Sequence, residues 1–146
     1  MKILKIYVLA PWRGKEGDAA TPDSVAQNRA WVAEQLGILE RSFPSIEWIS
    51  PHFHPALEEY NNQWFNGQVS TDEVMQQCTN ILAGCNAALV LTGLGVSAGM
   101  VHEINYAVEN LSPFPILTVD DVAINTTLEY LAYVLSGLVD WFRQGE

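Results

Sequence analysis

The sequence predicts an α/β fold, a single domain over residues 1–146 with a parallel sheet covered by helices on both faces. Three observations carry this. Short apolar, β-rich runs alternate along the chain with longer stretches of helical period. The run Ala87 to Leu91 is apolar throughout, as a strand buried on both faces must be. It ends in Gly93 and Gly95, and Ser97 then stands where a helix N-cap belongs, its hydroxyl able to accept from a free first-turn amide.

The elements follow in order. Ile3 to Leu9 is a strand, stopped at Ala10 and Pro11 because proline cannot donate to a ladder. A polar, glycine-bearing loop runs off it to Pro22. A helix spans about Asp23 to Glu40, with Val25, Val32, Leu36 and Leu39 on one face and Pro44 closing the segment. Ile46 to Ser50 is the second strand, and Pro51 to Pro55 a rigid turn. Pro55 to about Phe65 is a short helix carrying Tyr60 and Trp64, ended by Asn66 and Gly67. Ser70 or Thr71 caps a third helix that runs to about Ala83. The third strand and the Ser97 helix come next, the helix ending near Asn110 before Ser112 and Pro113. Phe114 to Val119 is the fourth strand, ended by Asp120 and Asp121. Thr126 and Glu129 form a capping-box pattern for the last helix. Its stripe is Leu128, Leu131, Val134, Leu135, Leu138 and Phe142. Tyr130, Tyr133 and Trp141 widen that stripe, which leaves core packing and a subunit contact both open. Right-handed crossovers then give the strand order 2-1-3-4. The first and third strands are neighbours, and the crevice at their carboxyl ends is where ligands bind in such sheets.

Bulk composition excludes several classes. The chain has 146 residues and a net charge of −10, from 17 acidic and 7 basic side chains. That opposes a nucleic-acid surface or an anionic membrane surface. A small phosphorylated ligand, held by one Arg and backbone amides, remains compatible. Cys78 and Cys85 are too few for a zinc site and read as buried thiols of a reducing compartment. His52 and His54 stand two apart with no third ligand in view, so no metal is expected. No run approaches the ~18 apolar residues of a membrane helix, and the first residues lack a signal-peptide cleavage pattern. A soluble, cytoplasmic protein is expected.

The crevice residues carry the chemistry. Arg13 lies in the loop after the first strand, and Ser97 stands at a positive helix end, so together they suit a phosphate; the plainer alternative is a solvated loop residue and a simple cap. Glu103 lies six residues after Ser97, under two helical turns on, and among apolar neighbours. A carboxylate there can act as nucleophile at a sugar C1′ in a two-step N-glycoside displacement, or it is an ordinary solvated helix glutamate. Tyr7 can orient it by a hydrogen bond, or simply pack in the strand. His102 points about 100° away around the helix and reads as structural or surface. One motif competes: Gly93, Gly95 and Ala98 fit a loose dinucleotide fingerprint, with Asp120 at the end of the next strand. Against it, that fingerprint usually opens a fold, and only one strand and one helix follow it here.

Tyr7 to Gly14, which ends in Trp12, Arg13 and Gly14, together with Cys85 to Ala107, which contains Ser97, Gly99 and Glu103, resembles the nucleoside 2-deoxyribosyltransferase superfamily. The nearest branch in appearance is the 2′-deoxynucleoside 5′-phosphate N-hydrolases. The resemblance implies a flavodoxin- or Rossmann-like three-layer sandwich and a homodimer or higher homo-oligomer. It implies a small nucleotide or nucleoside ligand and no cofactor. By position it makes Glu103 the nucleophile and Tyr7 its orienter. Trp12, Arg13, Gly14, Ser97 and Gly99 become substrate-binding residues, most of them around the 5′-phosphate. Three positions depart from the pattern. Cys78 stands near the usual place of an aspartate that assists the leaving base, Asn86 replaces an aspartate after Cys85, and Ala10 replaces a glycine.

Overall fold

The computed structural model describes residues 2–12 and 19–145. Nine elements alternate: β1 (Lys5–Leu9), α1 (Pro22–Ser42), β2 (Glu47–Ile49), α2 (Pro55–Phe65), α3 (Thr71–Ala83), β3 (Ala87–Leu91), α4 (Ala98–Asn110), β4 (Ile116–Val119) and α5 (Asn125–Arg143). The four strands form one sheet in the order β2-β1-β3-β4, and every pairing is parallel. The expected order and layering hold. No helix among the described residues is long and apolar enough to cross a membrane.

The period of two along a strand divides the core. Ile6, Val8, Leu89 and Leu91 face α1 and α5, meeting Val32, Leu36, Leu131 and Leu135. Tyr7, Leu9, Ala88 and Val90 face the other way and meet Leu82, Met100 and Ala107 of α3 and α4. Tyr7 is therefore on the same side of the sheet as α4. A third cluster, Leu57, Val74 and Cys78, joins α2 to α3 beyond the sheet edge.

Local details differ from expectation at element ends. β1 begins at Lys5 rather than Ile3, which is exposed. Its first residue is held by Asn86, whose Oδ1 accepts from Lys5 N at 3.0 Å and whose own amide donates to the Lys5 carbonyl at 2.8 Å. β4 begins at Ile116, because Pro115 offers only its carbonyl, which accepts from Ala88 N at 3.0 Å. The capping box at Thr126 and Glu129 does not form. The chain turns helical two residues earlier, with Ile124 as N-cap and no side-chain cap bond. Asp121 Oδ1 accepts from Ala123 N at 2.7 Å and Gln35 Oε1 from Val122 N at 2.8 Å, which fixes the approach and places Thr126 inside the first turn. The buried stripe of α5 is also narrower than the sequence suggests. Leu131, Leu135 and Leu138 are buried, while Tyr133 is 84% exposed and Tyr130 and Trp141 are exposed with it. Core packing within this chain does not explain the three aromatics.

The glycine-rich turn after β3 is shaped by packing. A Cβ on Gly93 would lie 2.5 Å from the Asp120 carbonyl oxygen and 2.7 Å from the Trp31 ring. Gly95 has a φ of 90°, which disfavours any other residue. Asp120 is itself engaged by the Thr92 hydroxyl. The glycines and aspartate of the dinucleotide-like pattern thus have structural work. We expect Gly93→Ala to cost about 1–3 kcal/mol through overpacking against backbone. Gly99→Ala, which meets only the flexible Met75 side chain at 3.3 Å, should cost less. Urea midpoints at a constant m-value measure the difference; equal midpoints for the two variants would refute this packing account.

Candidate functional site

Four chain segments meet at the carboxyl ends of β1, β2 and β3. They enclose a cavity of about 330 Å³. The β1 exit supplies Ala10, Pro11 and Trp12, and the turn after β2 supplies Pro51 and His52. The start of α4 supplies Ser97, Gly99 and Met100, with Glu103 one turn deeper. Helices α2 and α3 close the far wall with Leu57, Trp64, Val74, Met75 and Cys78. Apart from Thr71, whose hydroxyl accepts from Trp64 Nε1 at 3.0 Å, that wall is apolar or sulfur-bearing, and Trp12 and Trp64 pack ring to ring at 4.8 Å. Glu103 is the one carboxylate among the described lining residues, and no Lys or Arg is among them.

Ser97 is the N-cap, as expected: its Oγ accepts from Met100 N at 3.2 Å. The Ser97 amide in turn donates to Met100 Sδ at 3.5 Å. The amides of Ala98 and Gly99 have no helical acceptor, so they give the cavity wall its positive helix end. Gly99 admits a close neighbour, and Met75 of α3 is that neighbour. Arg13 and Gly14 lie outside the described residues. His102 is exposed, as read from the sequence.

Glu103 is buried. Burial drives its carboxyl from the ordinary 4.5 up to about 7, opposed only partly by the Tyr7 hydroxyl. Burial and the nearby Glu103 charge hold the Tyr7 phenol well above its usual range. The same two causes, burial first, push the Cys78 thiol up to about 12. Tyr7 and Cys78 are therefore neutral groups beside the acid. The three interact at short range, yet Tyr7 Oη and Glu103 Oε2 are buried without a hydrogen bond of normal geometry. The arrangement is a poorly solvated carboxylate with no cation opposite it among the described residues.

Sequence reasoning missed two neighbours. His52 is buried, and its Nε2 lies 3.0 Å from the Ala10 carbonyl. A carbonyl only accepts, so the neutral ring carries its proton on Nε2 and leaves the buried Nδ1 as a lone pair without a partner. Burial brings its pKa down from 6.5 to about 4. Arg29 of α1 donates from Nη2 to the His52 carbonyl at 3.1 Å and lies over the Phe53 ring at 5.1 Å. Neither is visible in the sequence, because no motif joins residues 10, 29 and 52. His54 acts separately, accepting from Ala56 N through Nδ1 as the cap of α2. The two histidines are held by different tasks and do not form a pair. Of the three departures from the sequence pattern, Cys78 and Ala10 line the cavity. Asn86 lies at the opposite end of β1.

Comparison with known families, with curated proteins and with solved structures finds no match for this chain.

The two shifted groups have opposite linkage to folding. Native Glu103 keeps its proton above the unfolded value, so stability declines as pH rises from 4.5 to about 7. Native His52 refuses its proton, so stability declines as pH falls from 6.5 to about 4. Each is worth about 3 kcal/mol at most, and they oppose each other between those limits. Glu103→Gln removes the first slope. We expect it to gain up to about 3 kcal/mol over wild type at pH 8 and almost nothing at pH 4. Its stability should then fall on acidification, which wild type resists. Denaturant titrations across pH test this; a variant less stable than wild type at pH 8 would mean the carboxylate is ion-paired after all.

Proposed function

We propose that the chain is an N-glycosidase or deoxyribosyltransferase acting on a (deoxy)nucleoside 5′-monophosphate, with Glu103 as nucleophile. The observation that carries this reading is a buried carboxylate, uncompensated among the described residues, at the wall of a cavity whose other face is a helix start. Such a carboxylate is destabilised while alone and is stabilised when positive charge develops beside it. The oxocarbenium-like transition state of glycoside cleavage supplies that charge at C1′. The Glu103 oxygen forms a bond to C1′ as the C1′–N bond breaks, and the electron pair leaves with the base, which takes a proton from water. Water then cleaves the glycosyl ester and restores the carboxylate, or a second base accepts the sugar. Tyr7, held neutral, donates toward the acid and orients it. The Ala98 and Gly99 amides, with Ser97 as cap, suit the 5′-phosphate, joined by Arg13 and Gly14 if the family resemblance holds. Trp12 offers an aromatic wall to sugar or base. The reading places the protein among cytoplasmic nucleotide-processing homodimers that need no cofactor.

Cys78 supports a second reading. Its thiol stands beside Glu103, where the resembled enzymes carry an acid for the leaving base. A thiol pushed up to about 12 is a poor proton donor. A non-catalytic module that senses a nucleotide would tolerate it.

Incubation with the common ribo- and deoxyribonucleoside 5′-monophosphates, followed by chromatography for free base, separates the two. The catalytic reading expects base release that falls at least ~10³-fold in Glu103→Gln, as for loss of a covalent nucleophile. Release that survives the substitution would exclude Glu103 as nucleophile. Thermal stabilisation by a mononucleotide without any release would support the sensing reading.

A further inference from the structure

A second cavity, of about 500 Å³, opens on the other side of Trp12. It is lined by Trp12, by Val25, Ala26 and Arg29 of α1, and by Glu58 and Asn62 of α2, among others. Trp12 lines both cavities. Arg29 also bonds the backbone carbonyl of His52, whose side chain lines the first. The two hollows are thus built on the same residues.

Arg29 is the unusual member. The chain has 17 acidic side chains against 7 basic ones, so a carboxylate partner is easily found. Yet the contacts of Arg29 among the described residues are the His52 carbonyl and the Phe53 ring. Its Nε is buried with no acceptor. Glu58 shares the cavity and makes no ion pair with it. The guanidinium is stacked and anchored along one edge, which sets its plane before any ligand arrives. A guanidinium fixed in this way presents its remaining N–H groups as a fork for phosphate or carboxylate oxygens. The Asn62 carboxamide adds a further donor on the facing helix.

We propose that the Arg29 cavity is an anion subsite that takes a second phosphate of the ligand, so that the preferred ligand carries a pyrophosphate rather than a single phosphate. This rests on the reading that a nucleotide occupies the Glu103 cavity. The first phosphate lies at the start of α4, and the second reaches past Trp12 to Arg29. A nucleoside 5′-diphosphate and a pyrophosphate-linked dinucleotide share this chemistry. Glu58 opposes the anion, so the gain over a monophosphate is modest.

Calorimetric titration of wild type, Arg29→Gln, Arg29→Lys and Glu58→Gln tests the subsite. The probes are inorganic pyrophosphate, matched nucleoside 5′-mono- and 5′-diphosphates of each common base, and an adenine dinucleotide. Wild type should bind diphosphates about tenfold or more tighter than monophosphates, the range expected for a hydrogen-bonded charge. Arg29→Gln should lower diphosphate affinity more than monophosphate affinity and so abolish that difference, and its remaining monophosphate binding shows that the variant is folded. Arg29→Lys should keep part of it, and Glu58→Gln should enlarge it. A dinucleotide bound more tightly than every diphosphate identifies the longer ligand; the reverse identifies the shorter. Arg29-dependent binding of pyrophosphate with no nucleotide binding would sink the nucleotide reading and leave the subsite standing. Equal affinity for mono- and diphosphates in wild type, or a difference that Arg29→Gln leaves unchanged, overturns the proposal, even where base release from monophosphates is found.

Discussion

One desolvated carboxylate, with no cation facing it among the described residues, sets the character of this molecule. Removing a carboxylate from water without a partner raises the energy of its charged form. A chain retains such a group at a cost in stability, commonly where chemistry or binding uses it. Here the cost follows from the fold. The α3–α4 side of the sheet receives Tyr7 from the period of two in β1. Glu103 turns toward the same side from the third helical residue after Met100. The sulfur and aromatic side chains of α2 and α3 then cover the acid without neutralising it.

The cavity walls are held by long-range ties, not by the sheet alone. Arg29 grips the turn after β2, and the buried ring in that turn grips the exit of β1 through the Ala10 carbonyl. The amino-terminal half of helix α1 and the carboxyl ends of strands β2 and β1 therefore share one chain of contacts. On the opposite side, the lack of space at Gly93 presses the turn after β3 against α1 and the end of β4. Gln35 fastens the segment before α5 by its bond to Val122 N. These ties fix the start of α4, and with it the distance between the helix end and the acid. The stiff frame surrounds a hollow whose own polar groups are left short of partners. That division of labour is what a preformed binding site requires.

Much of this was legible in the residues. The all-apolar run at Ala87 and the glycines after it announced a central parallel strand, because no other element buries both faces over so few residues. Ser97 was readable as a cap from its place before an apolar helix, and Glu103 followed from helical geometry. The walls contributed by α2 and α3 were not legible. Leu57, Val74 and Met75 look like ordinary core residues, and only tertiary packing brings them to the cavity. Arg29 was hidden within an amphipathic helix, where a basic residue normally marks the solvent face. The box at Thr126 and Glu129 misled because its spacing is satisfied by any helix that starts nearby. Side-chain bonds from Gln35 and Asp121, invisible in a local window, moved the start by two residues.

The character of the site depends on how Glu103 ionises in the folded chain. Isotope-labelled glutamate and a pH titration of its carboxyl resonance read this directly, without any ligand. A midpoint near 7 for the Glu103 signal, well above its ordinary 4.5, is the expected result. A midpoint at or below 4.5 would mean that the acid is solvated or paired, and the site as described here would not exist.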